Sequence, residues 1–186
     1  MERLQVKIKR LHPDAVIPQY AHDGDAGFDL VAVEDVIIAP GETAKVPTGI
    51  AIELPPGYEL QVRPRSGITL RTKLRVQLGT VDSNYRGEIG VIVDNIFPVD
   101  EEEKHDYYYE VLATDESLVG VEVKMPYGTY IIRKGDRIAQ GVIAPVSTAD
   151  FVEVEKLSDT TRGEGGFGST GVKDEHKRKT IVTKDG

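Results

Sequence analysis

Cysteine is absent from the 186 residues, which excludes a disulfide framework and a thiolate metal site. No apolar run approaches the roughly 20 residues of a membrane-spanning helix. Residues 1–10, charged and alternating, lack the apolar stretch of a secretory signal. The expectation is a soluble, cytoplasmic protein with no membrane partner. Aromatic residues are scarce at 6%, and long helical periodicities are missing. Without helices to carry crossovers, antiparallel or mixed strand pairing is expected. Basic residues are outnumbered, 23 against 31 acidic, for a formal net charge of -8. That argues against a nucleic-acid partner, which wants a basic footprint. It leaves an anionic small substrate open, because salt screens distant charges within roughly 10 Å and a few converging arginines decide the local potential.

What is present points to β structure. A hydrophobic content of 39% is enough for a core, and the length suits one domain with appendages. The 19 Gly and 10 Pro cut the chain into short segments. Leu4, Val6 and Ile8 alternate with Gln5, Lys7 and Lys9, which predicts a half-buried strand. Residues 36–39 lead into a turn at Pro40-Gly41. Val46, Ile50, Ile52 and Leu54 precede a second turn at Pro55-Pro56-Gly57, and Leu60 and Val62 form another short strand. Residues 63–73 hold one short helix. Residues 74–81 and 89–93 read as two strands joined by a polar turn around 83–87, and 130–132, 138–143 and 152–154 supply later strands. Short strands at this spacing predict a sandwich or barrel. Residues 97–126 read as an excursion inserted into the sheet.

Five short segments join glycine to polar residues. Asp25-Ala26-Gly27-Phe28-Asp29-Leu30 reads by itself as a solvated acidic turn; the EF-hand pattern fails, since Gly27 takes a ligand position and the closing Glu is missing. Arg63-Pro64-Arg65-Ser66-Gly67 offers guanidinium forks, a hydroxyl and an open backbone. That chemistry suits phosphate oxygens, and equally a surface turn. In the segment from Gly79 to Gly87, Asp82 borders a tight turn with Tyr85 three residues on. This is either a general base near a stacked ring or an Asx-type turn with a packing tyrosine. Gly135-Asp136-Arg137-Ile138-Ala139-Gln140 is by itself a common turn entering a strand. Residues 163–168 match G-x-G-x-x-G, but no βαβ unit follows and no Lys follows Gly168, so dinucleotide and Walker A readings fail. The segment is then a glycine loop able to wrap an anion, with Phe167 over a flat base, or a disordered linker.

In this order the five segments resemble the five motifs of the trimeric dUTPase family, from about Asp25 to Gly171. The third (Asp82-Ser83-Asn84-Tyr85-Arg86-Gly87-Glu88-Ile89) and the fifth (Arg162-Gly163-Glu164-Gly165-Gly166-Phe167-Gly168) are the most specific. A deoxycytidine triphosphate deaminase shares the fold, but the residues flanking the base match the hydrolase pattern. The resemblance implies an all-β, jelly-roll-like barrel or sandwich with a swapped C-terminal arm, assembled as a homotrimer with sites at subunit interfaces. It implies a β domain over 1–171, with an insertion at about 97–126; residues 172–186, mostly charged with little to bury, extend past the usual end of the family and read as a flexible tail. Some phage-encoded members resemble this chain in carrying extra sequence between the third and fourth motifs.

The implied activity is hydrolysis of dUTP to dUMP and pyrophosphate, by in-line attack of water on the α-phosphorus. Asp82 is the implied carboxylate that activates the water, with Asp29 near the triphosphate and Gln140 on the phosphate chain. Arg65, Ser66 and Gly67 are implied to hold the phosphates, and Tyr85 to lie under the deoxyribose. A hairpin over 76–81, with Val76, Gly79 and Val81, is implied to read uracil. Arg162, Ser169 and Thr170 would bind the terminal phosphate, and Phe167, followed by Gly168, would stack on uracil. The implied cofactor is Mg²⁺, held by substrate phosphates and water with no direct protein ligand. Val76 departs from the Asn of many members, so base reading here rests more on backbone groups. The insertion, with Asp100-Glu101-Glu102-Glu103 and Tyr107-Tyr108-Tyr109, reads either as a cap on a sheet edge or as an anchor for a protein partner.

Overall fold

β-branched and polar residues alternate between Gly and Pro turns, and the computed structural model, which describes residues 4–98 and 107–166, converts that pattern into short strands. In chain order these are β1 (Lys7–Arg10), β2 (Phe28–Val31), β3 (Val36–Ile38), β4 (Thr43–Pro47), β5 (Ile50–Glu53) and β6 (Tyr58–Pro64). The helix α1 (Ser66–Arg71) follows, then β7 (Leu74–Val76), β8 (Gly79–Val81) and β9 (Gly90–Asn95). The last four are β10 (Tyr107–Ala113), β11 (Leu118–Pro126), β12 (Tyr130–Ile132) and β13 (Arg137–Pro145). They form sheets in the orders β2-β13-β6-β8, β11-β10-β12-β3, β4-β9-β7 and β1-β5. All belong to the unit Met1–Thr148; the second unit, Ala149–Gly186, has no helix or strand among its described residues.

Inward-facing side chains of three sheets and of β5 share one core. Leu30, Ile38, Ile50, Leu60, Leu74, Ile89, Ile132 and Ile138 are all fully buried there, each contributing roughly 1.5–3 kcal/mol relative to exposure. The helix α1 has six residues, too few to stand alone. It is held by buried Ile68 and closed by Thr72, whose hydroxyl donates to the Ile68 carbonyl at 2.7 Å.

Four expectations change. The N-terminal strand covers Lys7–Arg10 and is exposed throughout, because among the described residues it pairs with β5 alone. Residues 74–81 are two strands in different sheets: β7 pairs with β9 and β8 with β6, so 76–81 forms no hairpin ladder. The crossing occurs at Gln77 and Leu78, whose side chains are exposed. Residues 152–154 form no strand; among the described residues they find no partner strand, and an unpaired strand is not stable by itself. The insertion extends a sheet. β10 pairs with β11 and, in parallel, with β12, and Val111, Ala113 and Ile131 form a second small core. Residues 99–106 and the tail over 172–186 lie outside the described residues.

Buried Asn95 ties the neck of the insertion. Its amide donates to the Ile38 and Gly128 carbonyls, both at 2.9 Å, and its Oδ1 accepts the Phe97 N–H at 2.9 Å. The chain entering the insertion and the chain leaving it are thereby held at one point.

Candidate functional site

Strand alternation decides which side chains face outward. In β2, Leu30 is buried and Asp29 faces out; in β6, Leu60 and Val62 are buried and Arg63 faces out. Between them, Gln140 of β13 is the register partner of both Asp29 and Arg63. Opposed residues share a face, so Asp29, Gln140 and Arg63 make one row across three strands. Gly141 permits the row: a Cβ there would lie 2.5 Å from Cε2 of Phe28, so the Phe28 ring crosses β13 only over a glycine.

β6 then runs into α1, and Arg65 at the helix N-cap reaches the row. Its Nε lies 2.9 Å from Asp29 Oδ1, and its Nη1 donates to the Arg137 carbonyl at 2.7 Å. Nε is buried and forms no hydrogen bond among the described residues, so the carboxylate approaches it off the N–H axis and the contact is ionic. Arg137 Nη1 donates to Asp29 Oδ2 at 3.3 Å. One carboxylate thus holds two guanidinium groups with Arg63 nearby, a local positive site on a chain of net negative charge. The Arg65 and Asp29 side chains are only 25% and 22% exposed, so the pair is screened less than a surface ion pair. Ser66 opens α1 and is exposed. A Cβ at Gly67 would make only an ordinary contact with Arg71, so the chain's own packing does not call for glycine there.

A second group sits on the turn after β8. Val81 pairs with Leu60, and Gly79 packs so closely on Val62 that a Cβ would come within 3.2 Å of the Val62 Cβ. Tyr85 N–H donates to the Asp82 carbonyl at 3.1 Å. The Tyr85 ring lies over Gly87, where a Cβ would collide with it, and its hydroxyl donates to the Glu88 carbonyl at 3.1 Å. Glu88 in turn accepts the Gly49 N–H at 2.8 Å. The ring is 46% exposed. Asp82 is exposed, and its carboxylate has no hydrogen-bond partner among the described residues. Val76 lies opposite Val93 with its side chain buried in the core. A depression of about 430 Å³ borders the turn, lined in part by Lys7, Glu53, Ser83, Asn84 and Arg86. Its cations face Glu53, and the Lys7 hydrogen bond holds that carboxyl below its ordinary range.

The two groups do not meet within one chain. Asp82 lies level with Glu59 on β6, whereas Gln140 lies level with Arg63, four residues further along. At ~3.3 Å per residue and ~4.8 Å per strand spacing, Asp82 and Gln140 are about 16 Å apart. In the unit Ala149–Gly186, Arg162 Nε donates to the Gly165 carbonyl at 2.8 Å, and the Gly163 N–H donates to the Thr160 hydroxyl at 3.0 Å. Phe167, Gly168, Ser169 and Thr170 lie outside the described residues.

Arg137 was not among the residues expected to line the site. A turn such as Gly135-Asp136-Arg137 gives no local sign of its partner; the only cue was an arginine at the mouth of the strand that carries Gln140. Among the described residues, no three His, Asp or Glu side chains converge as a metal-ligand set.

The family model described as dUTPase matches residues 14–100 and 118–171. The chain is 45% identical over 171 residues to the deoxyuridine 5'-triphosphate nucleotidohydrolase of Picosynechococcus sp., covering 91% of this chain and 100% of that protein. It is 49% identical over 170 residues to the protein of the same name from Thermobifida fusca, covering 90% of this chain and 79% of that one. Among solved structures, the Staphylococcus bacteriophage 80alpha dUTPase with dUPNHPP aligns with a TM-score of 0.83 at 33% identity, over 90% of this chain and 99% of that one. The dUTPase from phage phi11 of S. aureus, described as having a species-specific insert, aligns with a TM-score of 0.77 at 29% identity, over 84% of this chain and 99% of that one.

Proposed function

Because the chain belongs to the dUTPase family, we propose that it hydrolyses dUTP to dUMP and pyrophosphate by attack of water on the α-phosphorus. The observation that carries the reading is the Asp29–Arg65–Arg137 cluster beside Gln140, a preformed anion site on an acidic protein. Its donors meet phosphate oxygens, and Ser66 and Gly67 extend it with a hydroxyl and an unobstructed backbone. Asp82, whose carboxylate has no hydrogen bond to give up among the described residues, activates the water. Tyr85 lies under the deoxyribose, and Gly79 and Val81 offer backbone groups to uracil. Val76 contributes through its main chain, since its side chain belongs to the core. For Arg162, Phe167, Gly168, Ser169 and Thr170 it is the family pattern that supports contacts to the terminal phosphate and the base. In such phosphoryl chemistry positioning and charge neutralisation do most of the work.

The estimated 16 Å between Asp82 and Gln140 favours a site shared between subunits. A homotrimer in which Asp82 and Tyr85 of one chain face Asp29, Arg65 and Gln140 of another meets that need. Mg²⁺ suits this site as an ion carried on phosphate oxygens and water, because Asp29 is already engaged by two arginines.

The test is pyrophosphate release from dUTP with Mg²⁺, with dTTP, dCTP and UTP as controls and Asp82→Asn as the blank. Release confined to dUTP and lost in the variant is the expected result. No release from any nucleotide overturns the reading. A second role, docking of a protein partner on the insertion, is favoured by the exposure of Tyr107, Tyr108 and Tyr109 on an edge hairpin. Replacing the exposed rings by Tyr107→Ala and Tyr109→Ala would abolish that binding and leave hydrolysis in place.

A further inference from the structure

β10 and β12 run parallel, with Leu112 opposite Tyr130 and Ala113 opposite Ile131. Parallel strands end on the same side of a sheet, so the turns that follow them emerge side by side. The first is the 113–117 turn of the insertion. It is closed by the Ala113 N–H to Ser117 carbonyl bond at 2.8 Å and the Glu116 N–H to Ala113 carbonyl bond at 3.0 Å. Asp115 Oδ1 accepts the Ser117 hydroxyl at 2.6 Å and the Ser117 N–H at 3.0 Å, and these bonds hold the Asp115 carboxyl below its ordinary range. Glu116 sits at φ 71°, a left-handed conformation that the turn imposes on a non-glycine residue.

The second turn joins β12 to β13 and carries Asp136. Asp136 N–H donates to the Arg133 carbonyl at 2.9 Å, and Asp136 Oδ2 accepts the Arg133 N–H at 3.0 Å. From the insertion, Thr114 Oγ1 donates to the same Oδ2 at 2.9 Å. The residue after Asp136 is Arg137, whose carbonyl receives Arg65 and whose guanidinium reaches Asp29. The family match leaves residues 101–117 uncovered. Thr114 therefore comes from outside the shared pattern, yet it bonds into the turn that aims the arginine pair.

We propose that Thr114 is a positioning residue for the phosphate-binding cluster: through Asp136 the insertion braces the turn that sets Arg137 and, through its carbonyl, Arg65. The proposal rests on the reading of that cluster as the triphosphate site. It makes the insertion and the bound nucleotide energetically coupled, and such coupling is reciprocal.

Thr114→Val removes the hydroxyl and keeps the branched shape; Thr114→Ser keeps the hydroxyl. Affinity for a non-hydrolysable dUTP analogue and the kcat and KM for dUTP are measured on the full chain, together with the melting temperature. Thr114→Val is expected to weaken analogue binding and raise KM by roughly threefold to tenfold, the effect of one lost hydrogen bond, with kcat within about twofold and the melting temperature lowered by no more than about 4 °C. Thr114→Ser is expected to restore the original affinity. Unchanged affinity in Thr114→Val overturns the proposal, as does failure of Thr114→Ser to restore it, or a loss that merely tracks a lower melting temperature. Absence of dUTP hydrolysis and of analogue binding by the unaltered protein overturns the reading of the site itself, a failure distinct from the other three.

Discussion

The Asp29 cluster and the Asp82 turn face the same proposed substrate but are built in opposite ways. In the cluster every charged group is already engaged: Arg65 and Arg137 converge on Asp29, and Arg65 also donates to a main-chain carbonyl. On the turn, backbone and tyrosine bonds fix the loop, while the Asp82 carboxylate is exposed and without a hydrogen-bond partner among the described residues. The first region is preorganised by its own chain, which lowers the ordering cost of binding an anion. The second keeps its carboxylate exposed, open to the water of the proposed reaction.

This contrast breaks most sharply at Asp82. Asp82→Asn removes no side-chain hydrogen bond among the described residues, so the protein should keep its melting temperature while kcat for dUTP falls by about 10²–10⁴, the usual worth of a general base. Pyrophosphate release and a thermal melt check both halves, and a lowered melting temperature would show that the carboxylate is structural after all. At the cluster the pattern should reverse. Arg65→Ala strips a charge-assisted donor and leaves Asp29 partly buried with one partner fewer; KM should rise about tenfold to hundredfold and the protein should lose stability. A steady-state titration with a parallel melt decides it.

Mixing the two variants tests whether the regions belong to different chains. In trimers assembled at random from equal amounts of Asp82→Asn and Arg65→Ala subunits, about one quarter of the interfaces pair an intact Asp82 with an intact Arg65. Activity should recover to roughly that fraction of the unaltered protein. No recovery after verified subunit exchange would put both residues in one chain's site. The smallest effect belongs to Tyr85→Phe, which gives up the exposed bond to the Glu88 carbonyl and keeps the ring. Stability should fall by about 0.5–1.5 kcal/mol, with the preference for dUTP over UTP retained, as nucleotide competition assays would report.

The strands from 36 to 62 and the short helix were legible because each depends on its own residues: alternating apolar side chains, Pro-Gly turns, and a segment without alternation after Pro64. Residues 74–81 misled because Leu74, Val76 and Leu78 alternate like one continuous strand. Nothing local marks that β7 and β8 pair with different partners. Residues 152–154 misled for the complementary reason, an alternating pattern that finds no partner strand among the described residues. Arg65 and Gln140 were legible as site residues through the motifs that contain them. Arg137 was not, since its role is set by a contact 108 residues away in sequence.

By itself, then, the sequence determined the β class of the chain, the order of its motifs and the chemistry each could offer, because side-chain alternation, turn residues and donor types are short-range properties. Tertiary structure alone decided which of those groups meet. Strand register gathers Asp29, Arg65, Arg137 and Gln140 while holding Asp82 apart. The parallel pairing of β10 with β12 carries Thr114 of the insertion to Asp136. Register and pairing direction are long-range choices, made by what the buried face of each strand must cover.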